Sequence, residues 1–178
     1  FAVPRRAAAL TQCSERKFHV ELDNGQSVSA RALIIATGVQ YRKMPLHRLE
    51  EFEGNGVYYA ATEIEARWCQ GSEVAVIGGG NSAGQAAMYL TRTCRHVHVL
   101  VRGEGLAASM SDYLLSRLEA HPKITIHTRT QVSALHGDDA LQAVTVQGLQ
   151  GDHRLDVAAL FVMVGAAPNT VWLSGLID

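Results

Sequence analysis

The chain is short of cysteine and proline, and neither sign of charge dominates it. Three cysteines and four prolines stand among 178 residues, and 16 basic side chains are balanced by 17 acidic ones, for a formal net charge of −1. Cys13, Cys69 and Cys94 are an odd number at wide spacings. That excludes a disulfide scaffold and suits a reduced, cytoplasmic protein. The near-neutral balance removes any electrostatic case for nucleic acid or an anionic membrane surface. The most apolar run, "VAALFVMVGAA" from Val157 to Ala167, falls far short of the ~20 residues a transmembrane helix needs. No repeat or low-complexity tract is found, and "FAVPRRAAAL" carries no targeting pattern. G-x-S-x-G, H-E-x-x-H and paired zinc cysteines are missing too, so those hydrolase and zinc-site classes have no support. What remains is a globular chain, 47% hydrophobic, with room for one domain and part of another.

The pattern along the chain is α/β. "RKFHVELDNGQSVSARALIIATG" (Arg16 to Gly38) reads as a hairpin whose second arm runs into a buried strand. Phe18, Val20 and Leu22 alternate with polar residues, and Asn24-Gly25 favours a type I′ turn. "VQYRKMPLHRLEEFEGNG" has the composition of a connection, and its local basic character reads as a solvated face. "ATEIEARWC" is expected to be a short helix. From Glu73 onward, strand and helix alternate: "EVAVIG", "SAGQAAMYLTRTC", "HVHVLV", "SMSDYLLSRLEAH", "KITIHT". Such alternation argues for a parallel sheet with helices packed on it. "QVSALHGDDALQAVTVQGLQGDHRLD" follows as an antiparallel meander, and "ALFVMVG" closes the sheet as another buried strand.

The chemistry concentrates at "EVAVIGGGNSAGQAAMYL". Gly78, Gly80 and Ala83 fit G-x-G-x-x-G/A between a strand and a helix. Gly78 allows the tight turn, Gly80 lets backbone approach a pyrophosphate, and Ala83 lets the helix pack closely on the strand. The helix N-terminus then offers free N–H groups to the phosphates. The candidate phosphate cradle is therefore Gly78, Gly79, Gly80, Asn81, Ser82 and Ala83, with Ser82 and Gln85 as a capping box. Arg102 lies 22 positions after Gly80, at the end of the second strand. An acidic residue there would bond the ribose of NAD, whereas an arginine suits the 2′-phosphate of NADPH. NADPH is accordingly favoured over NADH, the alternative being a solvated surface arginine. His96 and His98 share one strand face, but no further ligand pattern completes a metal site, so no metal is expected. Ser109, Ser111 and Asp112 are expected to cap the second helix.

Four stretches together resemble one family. "ALIIATG", "VAVIGGGNSA", "VHVLVRGEG" and "LFVMVGAAPNT" occur in the order found in the low-molecular-weight thioredoxin reductases, flavoproteins with two dinucleotide-binding domains. Within that superfamily the chain resembles forms fused behind a cyclic-nucleotide-binding or response-regulator domain. The resemblance implies a Rossmann-like NAD(P)-binding domain inserted into a second, FAD-binding Rossmann-like domain. Residues 1–53 would end the first FAD segment and linker, 54–167 would form the NADPH domain, and 168–178 would begin the return. The chain would be a central piece of a longer protein. The implied cofactors are NADPH, on Gly78–Ala83, Arg102, Val164 and Gly165, and FAD, beside Ala36, Thr37 and Gly38. The implied reaction is hydride transfer from NADPH to FAD, with no catalytic acid, base or nucleophile identified in this segment.

Two departures from the family matter. Ala60 and Glu63 stand where the redox-active C-x-x-C is expected, and neither can form a thiolate. Cys69 and Cys94 read as buried structural thiols. Electrons would then leave for an external acceptor; ferredoxin, a quinone, a distant disulfide and oxygen all stay open, as does a homodimeric assembly. At the 2′-phosphate strand, Gly103 and Ala107 replace two of the family's three arginines. A second reading also stays open, in which the reductase fold senses nucleotides without turnover.

Overall fold

The computed structural model describes residues 4–13, 17–149, 151–173 and 175–176. In chain order the strands and helices are β1 (Ala7–Cys13), β2 (Lys17–Leu22), β3 (Ser27–Ala30), β4 (Val39–Tyr41), α1 (Leu49–Phe52), β5 (Val57–Tyr58), α2 (Glu63–Trp68), β6 (Glu73–Ile77) and α3 (Asn81–Leu90). They continue with β7 (His96–Leu100), α4 (Asp112–Glu119), β8 (Ile124–His127), β9 (Gln131–Gly137), β10 (Leu141–Gly148), β11 (Gly151–Asp156), β12 (Ala159–Val162) and β13 (Ala166–Pro168). The chain divides into two units, Arg42–Gly165 and the pair of segments Phe1–Tyr41 with Ala166–Asp178. No helix among the described residues is long and apolar enough to cross a membrane.

The larger unit is built on a five-stranded sheet ordered β5-β12-β6-β7-β8, with every pair parallel. Its central strands are apolar almost throughout, as strands covered on both faces must be. Side chains alternate by the strand period of two. Val74, Val76, Val97, Val99 and Phe161 turn toward α3 and α4, burying Ala83, Ala87, Leu90 and Leu118. Ala75, Leu100, Leu160 and Val162 turn the other way, onto Val132, Leu135, Val144 and Val146 of the antiparallel sheet β11-β10-β9. The result is helices, parallel sheet and antiparallel sheet in three layers, the α/β architecture that the alternating pattern predicts.

The stretch after Tyr41 is more than a connection. Leu49 and Phe52 of α1 are buried in the second core, with the Arg48 guanidinium 4.8 Å from the Phe52 ring centroid. Two of the basic residues here are paired with carboxylates, Lys43 with Glu53 at 2.9 Å and Arg48 with Glu51 at 2.7 Å.

The smaller unit holds the sheet β1-β2-β3 and the two-stranded pair β13-β4. Two expectations fail here. The hairpin arm stops at Ala30, and Arg31–Gly38 forms no strand; Ile34 is 91% exposed. Apolar side chains make a buried strand only where a neighbouring strand pairs the backbone and a layer covers the face. Among the described residues neither lies beside "ALIIATG". The turn differs as well. Gly25 has φ +79 while Asn24 does not have positive φ. The Gly25 N–H bonds the Leu22 carbonyl at 3.0 Å, and Asn24 Oδ1 accepts the Gln26 N–H at 3.1 Å. The loop is thus longer than a two-residue type I′ turn, which needs positive φ at both central residues.

His96 and His98 do share a face, and the structure gives their partners. The His98 ring lies 3.0 Å through Nε2 from Glu73 Oε2 and 3.1 Å through Nδ1 from His127 Nε2. His96 Nε2 lies 2.8 Å from Thr125 Oγ1. In the tautomer with its proton on Nε2, His98 donates to the Glu73 carboxylate and accepts at Nδ1 from His127. No group of three or more potential ligands among the described residues is arranged to hold a metal.

Burial, then neighbouring His98, holds His127 below its ordinary value of 6.5, and burial does the same for His96. The hydrogen bond from His98 holds Glu73 below its ordinary 4.5. A depressed folded pKa means that the folded state binds the proton less readily than the unfolded chain. The histidines' contribution to stability is therefore complete above pH 6.5 and is lost as pH falls from there toward their folded values. Thermal melts at stepped pH should show stability falling as pH drops below 6.5, and less steeply in His127→Gln. An identical slope in that variant would assign the titration elsewhere.

Candidate functional site

The glycine loop joins β6 to α3 at the C-terminal edge of the parallel sheet, and its three glycines do different things. Gly78 sits at φ +145, where a Cβ would lie 2.5 Å from the Met163 carbonyl oxygen and 3.0 Å from Ala83 Cβ. Its N–H bonds the Leu100 carbonyl at 3.2 Å, and the Met163 N–H bonds Ile77 at 2.8 Å. The turn is wedged between β7, β12 and α3, so Gly78 is required by the fold itself. At Gly79 a Cβ would come within 3.3 Å of Ser109 Oγ.

Gly80 has no such reason to be glycine. It caps α3 in ordinary extended backbone, φ −94 and ψ 178, and a Cβ there would meet nothing of the chain closer than the Ser109 carbonyl at 3.8 Å. Any side chain satisfies that geometry. Gly80 adjoins the first turn of α3, whose N–H groups lack partners within the helix. Backbone that can be approached closely, at a helix N-terminus, is the arrangement a pyrophosphate requires.

Ser82 is exposed, and α3 begins two residues earlier than a Ser82–Gln85 capping box requires. Gly80 is the N-cap, without a side-chain cap bond, because the glycine turn already sets where the helix starts. The capping box of this chain lies instead at Thr62 and Glu65, at the head of α2. Ala83 is fully buried against the turn. Ser111 caps α4 by position but makes no side-chain cap bond; its N–H goes to Asn81 Oδ1 at 2.9 Å. Ser109 donates through Oγ to the Gly79 carbonyl at 2.8 Å. Sequence spacing could not find these two contacts, because they join positions about thirty apart through a loop.

Gly84 was likewise missed. A Cβ there would lie 2.6 Å from Leu114 Cδ2 and 2.9 Å from Met110 Cε, so its small size lets α4 sit against α3.

Arg102 follows β7, exposed, and makes no ion pair among the described residues. Glu104, two positions on, is held by Arg129 at 2.6 Å. Arg129, in left-handed backbone at φ +50, also bonds the Gly103 carbonyl through its N–H at 2.8 Å. A guanidinium thus offsets the one carboxylate of the 102–105 loop. Val164 packs on the second core, and Gly165, at φ +102, accepts the Arg42 N–H at 3.1 Å.

In the smaller unit, Ala36, Thr37 and Gly38 are exposed, and Asn169 closes on them. Thr37 Oγ1 donates to the Asn169 carbonyl at 2.9 Å, and Asn169 Nδ2 donates to the Thr37 carbonyl at 3.1 Å. The Asn169 N–H bonds Gly38, whose φ is +73, at 3.1 Å.

Ala60 precedes α2 and Glu63 begins it, with Glu63 paired to Arg67. Cys69 and Cys94 are free, buried thiols. Burial pushes Cys69 up to about 12 and raises Cys94 as well, so neither forms a thiolate near neutral pH.

A parallel sheet covered by helices on one face and by an antiparallel sheet on the other, with an open glycine turn at a helix N-terminus, defines a Rossmann-like domain. Residues 6–176 match the family model for pyridine nucleotide-disulphide oxidoreductase. The chain belongs to that family. It is 35% identical over 169 residues to a thioredoxin reductase of Escherichia coli O157:H7, covering 92% of this chain and 52% of that protein. It is 32% identical over 161 residues to an NADH dehydrogenase of Ferdinandcohnia aciditolerans, covering 89% and 30%. It superposes on a thioredoxin reductase from Giardia duodenalis with TM-score 0.77 at 25% identity, covering 94% of this chain and 54% of that one. The chain thus spans from under a third to about half the length of these relatives.

The two outer glycines should separate in experiment. Gly78→Ala should destabilise the fold by about 1–3 kcal/mol through overpacking, with strain at positive φ adding to it. Gly80→Ala should cost no more than about 1 kcal/mol, the ordinary loss for Ala at an N-cap, while weakening dinucleotide binding. Thermal melts and calorimetric titration of both variants are the check. Undiminished binding by Gly80→Ala would mean that no ligand uses that open face.

Proposed function

We propose that this chain carries the NADPH site of a flavin-dependent oxidoreductase related to thioredoxin reductase. The observation that carries the reading is Gly80, a glycine that nothing in the chain's own packing requires, at the N-terminus of α3. The matched relatives support it, since they are named as reductases and dehydrogenases. Gly78, Gly79, Gly80, Asn81, Ser82 and Ala83 would cradle the pyrophosphate, with Val164 and Gly165 at the neighbouring strand end. Ala36, Thr37 and Gly38, braced by Asn169, would lie against FAD.

NADPH, rather than NADH, is the favoured donor. Arg102 is exposed and has no ion pair among the described residues, while Glu104 is occupied by Arg129. A guanidinium can meet a 2′-phosphate through two parallel hydrogen bonds. When bound, NADPH supplies a hydride and FAD accepts it; the residues here bind and orient.

The acceptor lies outside this segment. The sequence contains no C-x-x-C, and Cys69 and Cys94 are buried with raised thiol pKa values. Disulfide exchange requires an accessible thiolate, so electrons would pass to an external protein or quinone acceptor. The same lack of a dithiol favours a competing reading, a nucleotide-sensing module with the reductase fold. Anaerobic NADPH distinguishes the two, since only a reductase bleaches its own bound flavin.

Two outcomes are expected. Arg102→Ala should weaken NADPH binding by roughly 1.5–3 kcal/mol, about tenfold or more, and leave NADH binding nearly unchanged; an equal loss for both rejects the assignment. The full-length protein should oxidise NADPH with ferricyanide but not with thioredoxin. Thioredoxin turnover abolished by Cys69→Ser would return that cysteine to the reaction.

A further inference from the structure

We propose that Ser109 is a positioning residue for the dinucleotide, acting through the Gly79–Gly80 peptide group. The inference rests on the reading of Gly78–Ala83 as a phosphate cradle. A trans peptide is planar, with its carbonyl and N–H pointing in opposite directions. Ser109 Oγ holds the Gly79 carbonyl at 2.8 Å, so the N–H of Gly80 is turned to the side away from Ser109. That orientation would otherwise be weakly determined. Gly78, Gly79 and Gly80 are consecutive, and glycine backbone rotates more freely than any other. A peptide between two glycines, released from its tether, could turn its carbonyl outward and present a lone pair to an anion instead of a proton.

A second contact from the same loop acts in the same sense. The Ser111 N–H occupies Asn81 Oδ1 at 2.9 Å, which leaves the Asn81 amide NH₂ as the group free to donate outward. Both tethers come from one segment anchored in the core, since Leu106 and Met110 on either side of Ser109 are buried. Glycine at position 84 makes room for Met110 and Leu114 beneath it. The loop thus transmits the packing of α4 onto α3 into the direction of donors at the head of α3. Donors already aimed before binding lower the ordering cost of capturing a phosphate. Glycine at 79 follows from the same contact, since a Cβ there would crowd Ser109 Oγ at 3.3 Å.

The test is calorimetric titration of full-length protein, wild type, Ser109→Ala and Ser109→Thr, with NADPH, NADH and 2′-AMP. The last carries the 2′-phosphate but no pyrophosphate. Ser109→Ala should weaken NADPH and NADH alike by about fivefold, the usual worth of one hydrogen bond. Binding of 2′-AMP and the melting temperature should stay unchanged, and Ser109→Thr, which keeps the hydroxyl, should restore affinity. Wild-type binding that Ser109→Ala leaves intact overturns the proposal alone. A loss shared by 2′-AMP or by the melting temperature also overturns it, because the loop would then be merely structural. Failure of the wild type to bind either dinucleotide overturns the cradle reading and this proposal with it.

Discussion

Backbone passes so close to backbone at Gly78 that no side chain fits there, and much of the larger unit depends on that approach. The Met163 carbonyl and the Ala83 methyl fill the space where a Cβ would stand. Three elements therefore meet at a single point: β6 ends, α3 begins and β12 runs alongside. With the turn that tight, α3 lies against the sheet through small side chains, Ala83, Ala86 and Ala87, and its first N–H groups stay uncovered. Close helix packing and an open helix N-terminus are two consequences of one constraint.

Electrostatics at the end of β7 depends on a pairing between the loops that follow β7 and β8. Arg129 reaches Glu104 and also bonds the Gly103 backbone. Exposed ion pairs of this kind add little to stability. Here the consequence is local charge: the carboxylate is offset, and Arg102 remains available to an anion. The buried thiols follow the opposite logic. Cys69 and Cys94 lie in an apolar core that penalises the thiolate, which makes them packing groups in this segment.

Local patterns misled where a neighbour was assumed. "ALIIATG" has the composition of a buried strand, but its backbone finds no pairing strand among the described residues. Ser82 and Gln85 fit a capping box by spacing, yet the glycine turn starts α3 earlier. Asn24-Gly25 fits a two-residue hairpin, but only Gly25 takes positive φ. In each case the motif states a local preference and the surrounding chain selects among the conformations it allows.

Local pattern was enough to order β6, α3, β7, α4, β8 and β12, because fully apolar strand runs and a glycine turn before a helix have few alternatives. It also placed the glycine turn ahead of α3 and an arginine just beyond β7. Only the tertiary structure shows that a Cβ at Gly78 would collide with the chain while one at Gly80 would not, which no local pattern records. It decided that Ser109 and Ser111 reach back to Gly79 and Asn81, that Arg129 neutralises Glu104, and that His98 bridges Glu73 and His127. These contacts join residues about 25 to 30 positions apart, and hydrophobic periodicity carries no record of such distances.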